Sequence, residues 1–133
     1  MAKVSSDLRF LAAKHNEPAQ ILTQLNSTFF ETNVDDVFVT LLFMSLNPET
    51  RELTICNAGH LPPLLRHADG EVTKLEEPTG FPIGILEDPE LQQMEFQLAS
   101  GELFCVFSDG IVEAMSPQRQ PYGYEPLIDL LKQ

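Results

Sequence analysis

Positive charge is scarce in this chain. Eight lysines and arginines face 20 aspartates and glutamates, for a formal net charge of -12 and a pI near 4.4. Such a surface repels phosphate backbones and anionic lipid, which disfavours nucleic-acid and membrane-surface partners. Long apolar runs are absent as well. No stretch of about 18 apolar residues exists, so no membrane insertion is expected. Residues 1–10 carry Lys3, Asp7 and Arg9 in place of an apolar signal core, so this stretch is not expected to be a secretory signal. Cysteine is limited to Cys56 and Cys105, both inside strand-like apolar runs and without a Cys-x-x-Cys pair. They read as buried thiols of a cytoplasmic protein rather than a disulfide or a zinc site. A phosphate loop is missing too, because no Gly-Lys-Ser/Thr follows the glycines, and there is no nucleophile elbow with a Ser/His/Asp order. No internal repeat and no low-complexity linker interrupts the chain.

What remains is a globular composition, 43% apolar and 21% charged over 133 residues. That length supports one domain with its own core. Val4, Leu8, Leu11 and Ala12 recur at helical spacing, so residues 3–14 are predicted as an amphipathic helix. His15-Asn16-Glu17 breaks it, and Pro18 suits the first turn of a second helix whose apolar face is Ile21, Leu22, Leu25 and Phe29. From Val37 the pattern turns to strands. A hairpin is predicted from 37–46 and 53–58 around Asn47-Pro48-Glu49-Thr50, and a second from 63–67 and 71–75 around Ala68-Asp69-Gly70. A Gly/Pro-rich connection covers 78–84. A third strand pair, 94–98 with 103–108, is predicted around Ala99-Ser100-Gly101. A short helix after Gly110, a loop over 117–124 and a helix over 125–132 close the chain. The order is an α+β layer arrangement. The runs 37–46 and 103–108 are almost continuously apolar, so cover is expected on both of their faces.

The run from Leu103 stops abruptly at Ser108-Asp109-Gly110. A carboxylate delivered from a rigid strand end is a fixed oxygen ligand of the kind a hard divalent cation needs, so Asp109 is the leading metal-ligand candidate. Gly110 would let the backbone turn sharply or let a ligand approach closely. A strand followed by an ordinary Asp-Gly turn explains the same triplet. Glu113 follows Asp109 by four residues, on one side of a helical turn if the helix starts at Gly110; a metal or water role and a capping role both fit. In Asn57-Ala58-Gly59-His60-Leu61-Pro62-Pro63, His60 suits a hydrogen-bonded structural place, a metal ligand or proton transfer. Asn57, if buried, needs the backbone of the following turn to satisfy its amide. The segment 79–85 reads as a structural crossover. The acidic pairs Asp35-Asp36 and Glu87-Asp88 read as solvated loops.

Taken together and in order, seven blocks resemble one family: Pro18 with Ile21-Leu22 and Leu25-Asn26; Phe38-Val39-Thr40-Leu41; Asn57 to Leu65; Gly80 to Ile85; Gly101-Glu102-Leu103; Ser108 to Ala114; and Tyr122 to Leu127. The chain is similar to the bacterial branch of the metal-dependent protein serine/threonine phosphatases (the PPM family) typified by sporulation stage II protein E. The resemblance implies an α-β-β-α sandwich of mainly antiparallel strands, with a manganese or magnesium pair that activates water against a phosphoserine or phosphothreonine. It implies a phosphorylated protein substrate such as an anti-sigma-factor antagonist, and a regulatory sensor domain in the parent chain. Asp109 matches a family metal-ligand aspartate.

The departures matter equally. The family's opening Gly-Asp strand, its second Asp and its Gly-His-Gly turn have no counterpart before Val4, and its closing Asp-Asp/Asn-Thr motif has none before Gln133. One placed carboxylate does not hold two cations that take about six ligands each. Residues 1–133 are therefore expected to be an incomplete single domain, inactive alone, with open sheet edges that favour a homo-oligomer. Residues 3–31 match a region expected to act as a switch. The competing readings are a non-catalytic phosphatase-like binding module for a signalling partner, and a purely structural β-rich domain.

Overall fold

A computed structural model describes residues 2–32, 37–76 and 78–133; the pair Asp35-Asp36 lies outside the described residues. The chain divides into two compact units. The first holds Met1–His60 and Pro78–Leu98, the second Leu61–Glu77 and Ala99–Gln133.

In the first unit, α1 (Ala2–Ala12) packs on α2 (Pro18–Thr32), and α2 packs on β1 (Leu41–Leu46) and β2 (Glu52–Ala58). The expected helical stripe is the core: Val4, Leu22 and Leu25 are buried with Cys56, Ala58 and Ile83, while Leu8, Leu11 and Phe29 pack against them. Only Ala12 departs from that stripe, being exposed at the C-terminal end of α1. β2 is the central strand of an antiparallel sheet ordered β1-β2-β5, with β5 at Gln93–Gln97. The β1–β2 turn forms where expected. Asn47 Oδ1 accepts from the N–H of Glu49 and of Thr50, at 3.0 and 3.2 Å, so an Asx-type turn sets the register.

In the second unit, β3 (Leu64–Arg66) pairs with β4 (Val72–Lys74) and with β6 (Leu103–Cys105) in an antiparallel sheet ordered β4-β3-β6. The short helix α3 (Asp109–Val112) and α4 (Glu125–Lys132) follow. α4 lies on β3 and β4. Leu64, Phe107, Val112 and Leu127 form the core, joined by Phe107 and Tyr124 edge to face at 5.5 Å.

Two strand expectations fail. The third pair does not form: β5 pairs with β2, and β6 with β3. The Ala99–Gly101 link closes on itself instead, with the Glu102 carboxylate accepting the Ala99 N–H at 2.8 Å and the Glu102 N–H donating to the Ala99 carbonyl at 3.2 Å. Continuous apolarity also does not mean two covered faces. Residues 37 and 38 precede β1, and Val39 forms only a bridge to Ile83. Leu41 and Phe43 face the helices, but Met44 and Leu46 are 49% and 53% exposed. Side chains alternate along a strand, so a helix layer reaches every second one. β6 ends at Cys105, and Leu103 and Val106 are exposed. Cys105 is itself only half-buried, against the expected full burial, while Cys56 is inaccessible.

Candidate functional site

The second unit presents Asp109 on a one-turn helix. Ser108 is extended (φ -86°, ψ 163°) and precedes α3 without a side-chain cap. Phe107 and Val112, buried on either side of Asp109, fix the turn that carries it, and its carboxylate is exposed. The expected sharp turn at Gly110 is not seen. Gly110 lies inside α3 and lacks positive φ, and a Cβ there would meet only Ser108 Oγ at 3.5 Å. An ordinary side chain fits that space, so the glycine is not there for backbone strain. Glu113 caps the end of α3, its N–H donating to the Asp109 carbonyl at 2.8 Å, and its side chain is exposed.

Asn57 and His60 belong to the first unit. Asn57 ends β2 and is 5% exposed. Its Nδ2 donates to the His60 carbonyl at 3.0 Å and its Oδ1 accepts the His60 N–H at 2.8 Å. The amide is satisfied by the backbone of the turn that follows, as its burial requires. Gly59 (φ +71°) makes that turn, and a Cβ on it would sit 2.4 Å from Pro82 Cγ. The Asn57 carbonyl accepts the Gly80 N–H at 2.8 Å. The first-unit motif and the Gly80–Ile85 crossover are thus one interlocked structure.

Three further polar features lie outside the candidate site residues, although Asn26, Glu102 and Tyr124 fall inside the family blocks. Asn26 is fully buried. Its Nδ2 donates to the carbonyls of Leu86 and Glu87 at 2.9 and 3.1 Å, and its Oδ1 accepts the Gly84 N–H at 2.9 Å. Its signal was a polar side chain beside an apolar stripe. Second, His67 Nδ1 meets Glu102 Oε1 and its Nε2 meets Thr73 Oγ1, each at 2.8 Å. The Ala99 N–H first, then His67, hold the Glu102 carboxyl below its ordinary range. Third, Tyr124 Oη is buried without a hydrogen-bond partner among the described residues. Burial raises its pKa, and the Lys74 ammonium, 4.1 Å from the ring centroid, opposes the rise. In the first unit, burial pushes the Cys56 thiol up to about 11.

The donor set decides what a divalent cation would find. Among the described residues no three His, Cys, Asp or Glu side chains gather as a metal site. Among the described residues, Asp109 is therefore joined by no pair of such side chains, and a two-cation centre does not fit them. Among the described residues, no helix is long and apolar enough to cross a membrane.

Comparison with known proteins places this geometry. The chain is 31% identical over 97 residues to the phosphoserine phosphatase RsbU of Bacillus subtilis, covering 72% of this chain and 29% of that protein. It is 26% identical over 110 residues to the protein IcfG of Synechocystis, covering 81% and 17%. The chain thus spans less than a third of either curated relative. A crystal structure of the RsbU and RsbW domains of Rv1364c from Mycobacterium tuberculosis superposes with a TM-score of 0.79 at 24% identity, over 98% of this chain and 36% of that one. The phosphatase domain of the cell fate determinant SpoIIE from Bacillus subtilis, presoaked in manganese, superposes with a TM-score of 0.58 at 20% identity, over 94% and 53%. These likenesses establish the fold as the mixed helix and antiparallel-sheet arrangement of PPM-type phosphatase domains. With the profile of the Stage II sporulation protein E (SpoIIE) family matching residues 1–133, the chain belongs to that family.

Proposed function

We propose that residues 1–133 are part of a single phosphatase domain that releases phosphate from a phosphoserine protein in sigma-factor signalling. The observation that carries this is Asp109: an exposed carboxylate on a turn locked between buried Phe107 and Val112, in a chain 31% identical to a phosphoserine phosphatase. A solvated carboxylate held by its backbone suits cation binding better than packing. Manganese or magnesium is the proposed cofactor, with Asp109 as a ligand, Gly110 allowing close approach, and Asn57, His60 and Glu113 in supporting places. Since one carboxylate does not fit two cations, this chain alone is proposed to be inactive, and further oxygen ligands must be supplied from elsewhere. The substrate class is a phosphorylated anti-sigma-factor antagonist. A sensor domain would act through residues 3–31, the setting is cytoplasmic, and the flanking strands β1 and β5 would favour a homo-oligomer. Sedimentation of dilute protein as a stable monomer opposes that last point.

The test is hydrolysis of a phosphoserine peptide by the intact protein with manganese. Asp109→Asn is expected to lower turnover by at least a hundredfold without changing the unfolding midpoint. Unchanged turnover removes the assignment. A second reading, a non-catalytic module that binds a signalling partner, is favoured by the lack of a gathered ligand set among the described residues. Calorimetric titration with manganese separates the two: tight binding with turnover supports the enzyme, and partner affinity without metal binding supports the module.

A further inference from the structure

Apolar side chains gather on the surface of the first unit around the 80–87 crossover. Asn26 ties α2 to that segment through the Gly84 N–H and the Leu86 and Glu87 carbonyls. Phe30 stands four residues beyond Asn26, on the same side of α2. Val39 and Ile83 exchange both main-chain hydrogen bonds, at 2.9 and 2.8 Å. A Cβ on Gly84 would meet the Phe29 ring at 2.7 Å and the Val37 carbonyl at 3.0 Å. The end of α2, residues 37–38 and residues 81–86 therefore adjoin. Phe30, Val37, Phe38, Phe81, Ile85 and Leu86 are all exposed there, Phe38 to 57% and Phe81 to 55%. An aromatic side chain carries about 150–250 Å² of surface, so the three phenylalanines alone present about 300 Å². With the three aliphatic residues the patch matches the largest that a monomer ordinarily shows. Its border is acidic. Glu31, Glu87, Asp88 and Glu90 are exposed, and among the described residues none of them is in an ion pair. The sequence has no lysine or arginine between Lys14 and Arg51 or between Lys74 and Arg119, and those two stretches supply the whole patch.

We infer that this patch docks a basic amphipathic helix of a partner protein, one with apolar residues on one face and lysine or arginine along its flanks. The inference stands apart from the phosphatase reading. Charge selects the flanks. An acidic border on a chain of net charge -12 repels a second copy at this patch, nucleic acid and anionic lipid, and it draws in a cationic segment. The main chain selects the helix. A partner strand would need free N–H and carbonyl groups along the crossover, and these are engaged. Ile83 is paired with Val39, the Ile85 N–H donates to the Pro82 carbonyl at 3.4 Å, and the Gly84, Leu86 and Glu87 groups are held by Asn26. Recognition therefore falls to side chains, and a helix presents its anchors to such a surface at i, i+3 or i+4, and i+7. Phe38 and Phe81 are the rings that such anchors would cover.

The test uses the 133-residue chain, labelled with nitrogen-15, and a designed helical peptide of about 14 residues with leucines on one face and lysines elsewhere. Two control peptides have the same length. One scatters the leucines around the helix, and the other carries glutamate for every lysine. At about 0.15 M salt the designed peptide is expected to bind at least about fivefold more tightly than either control. Amide shifts should fall at 28–31, 37–38 and 81–88. Phe38→Ser combined with Phe81→Ser should weaken binding about tenfold or more. Glu87→Lys combined with Asp88→Lys keeps every apolar residue and should weaken it about fivefold. Met115→Ser, an exposed apolar residue of the second unit, should change nothing. Equal binding of either control, shifts centred elsewhere, a loss with Met115→Ser as large as that with the phenylalanine pair, or no binding at all overturns the inference. Self-association that moves the same amides without peptide also overturns it, because the patch then belongs to a second copy.

Discussion

Replacing Asn26 is expected to loosen the first unit more than any other single polar substitution there. The side chain has no solvent exposure and makes three hydrogen bonds to main-chain groups of the segment 84–87. In Asn26→Ala each bond forfeits about 1 kcal/mol net, and the orphaned Gly84 N–H and Leu86 and Glu87 carbonyls add to the cost wherever water does not reach them. The sum is about 3 kcal/mol, near the upper end for single substitutions. With a urea dependence of about 1–3 kcal/mol/M, the midpoint should fall by roughly 1–3 M. Asn26→Asp is the sharper probe because it keeps the shape. One carboxylate oxygen still accepts the Gly84 N–H, but the other replaces a donor with an acceptor facing two carbonyls. Burial and that repulsion raise the folded-state pKa of the new carboxyl above its unfolded value of about 3.9. The penalty is then absent below the unfolded value, grows as pH rises toward the folded value, and is complete above it. Urea unfolding at pH 7 and pH 4, followed by hydrogen exchange of first-unit amides, should show the Asp variant recovering toward wild type in acid while the Ala variant keeps its deficit. An Asp variant as stable as wild type at pH 7, or one that loses ground in acid, would refute the donor assignment at Asn26.

Gly59→Ala should cost about 2–4 kcal/mol, because its Cβ would stand 2.4 Å from Pro82 Cγ at positive φ. Gly70→Ala shares positive φ but has open space, its nearest neighbour being 3.9 Å away, so thermal or urea unfolding should give it only about 1 kcal/mol. Cys56, with its thiol pushed up to about 11, should resist iodoacetamide at pH 8 until the unit opens, whereas half-buried Cys105 reacts first. Equal rates in peptide mapping would contradict that order. Glu102, whose folded pKa is lowered, contributes stability above its unfolded value of about 4.3 that is lost as pH falls through the folded value. The stability gap between wild type and Glu102→Gln should therefore narrow below about pH 4. A gap unchanged from pH 5 to pH 2.5 would remove the role given to the Ala99 and His67 contacts.

Local periodicity carried most of the fold. The stripe Val4, Leu8, Leu11 and the stripe Ile21, Leu22, Leu25 gave both opening helices and their buried faces, and the tight turns at 47–50 and 68–70 gave both hairpins. Pairing between distant segments was not legible. Nothing local distinguishes a strand at 93–97 that continues into a hairpin from one that returns to β2, since its apolar alternation suits either partner. Burial on two faces was misjudged for the same reason: the run at 41–46 states which residues are apolar, not how many layers reach them. At the candidate site, the satisfied Asn57 followed from residue type and strand position, whereas Asp109, expected at a strand end, lies in α3 beyond the end of β6 at Cys105. Asn26 did not, because a buried amide is specified by three carbonyl and N–H groups some 60 positions away in sequence.

The family motifs in this chain divide by the work they do. Asn57, Gly59 and Gly80 are occupied with one another through backbone bonds and a contact that excludes a Cβ. Such residues would be required in any member that keeps the fold, active or not. Asp109 and Gly110 are different, because neither packing, φ nor capping in this structure demands them: the carboxylate is exposed, the cap at Ser108 makes no side-chain bond, and the glycine has room for a Cβ. A residue pair the fold does not need is better explained by chemistry at its surface. Substitution should separate the classes accordingly. Changes at Asn57 or Gly59 should lower stability and every function together, whereas changes at Asp109 or Gly110 should spare stability and strike whatever the domain binds. A stability loss at Asp109 equal to that at Gly59 would place the aspartate with the scaffold and remove the main reason for assigning it a cation.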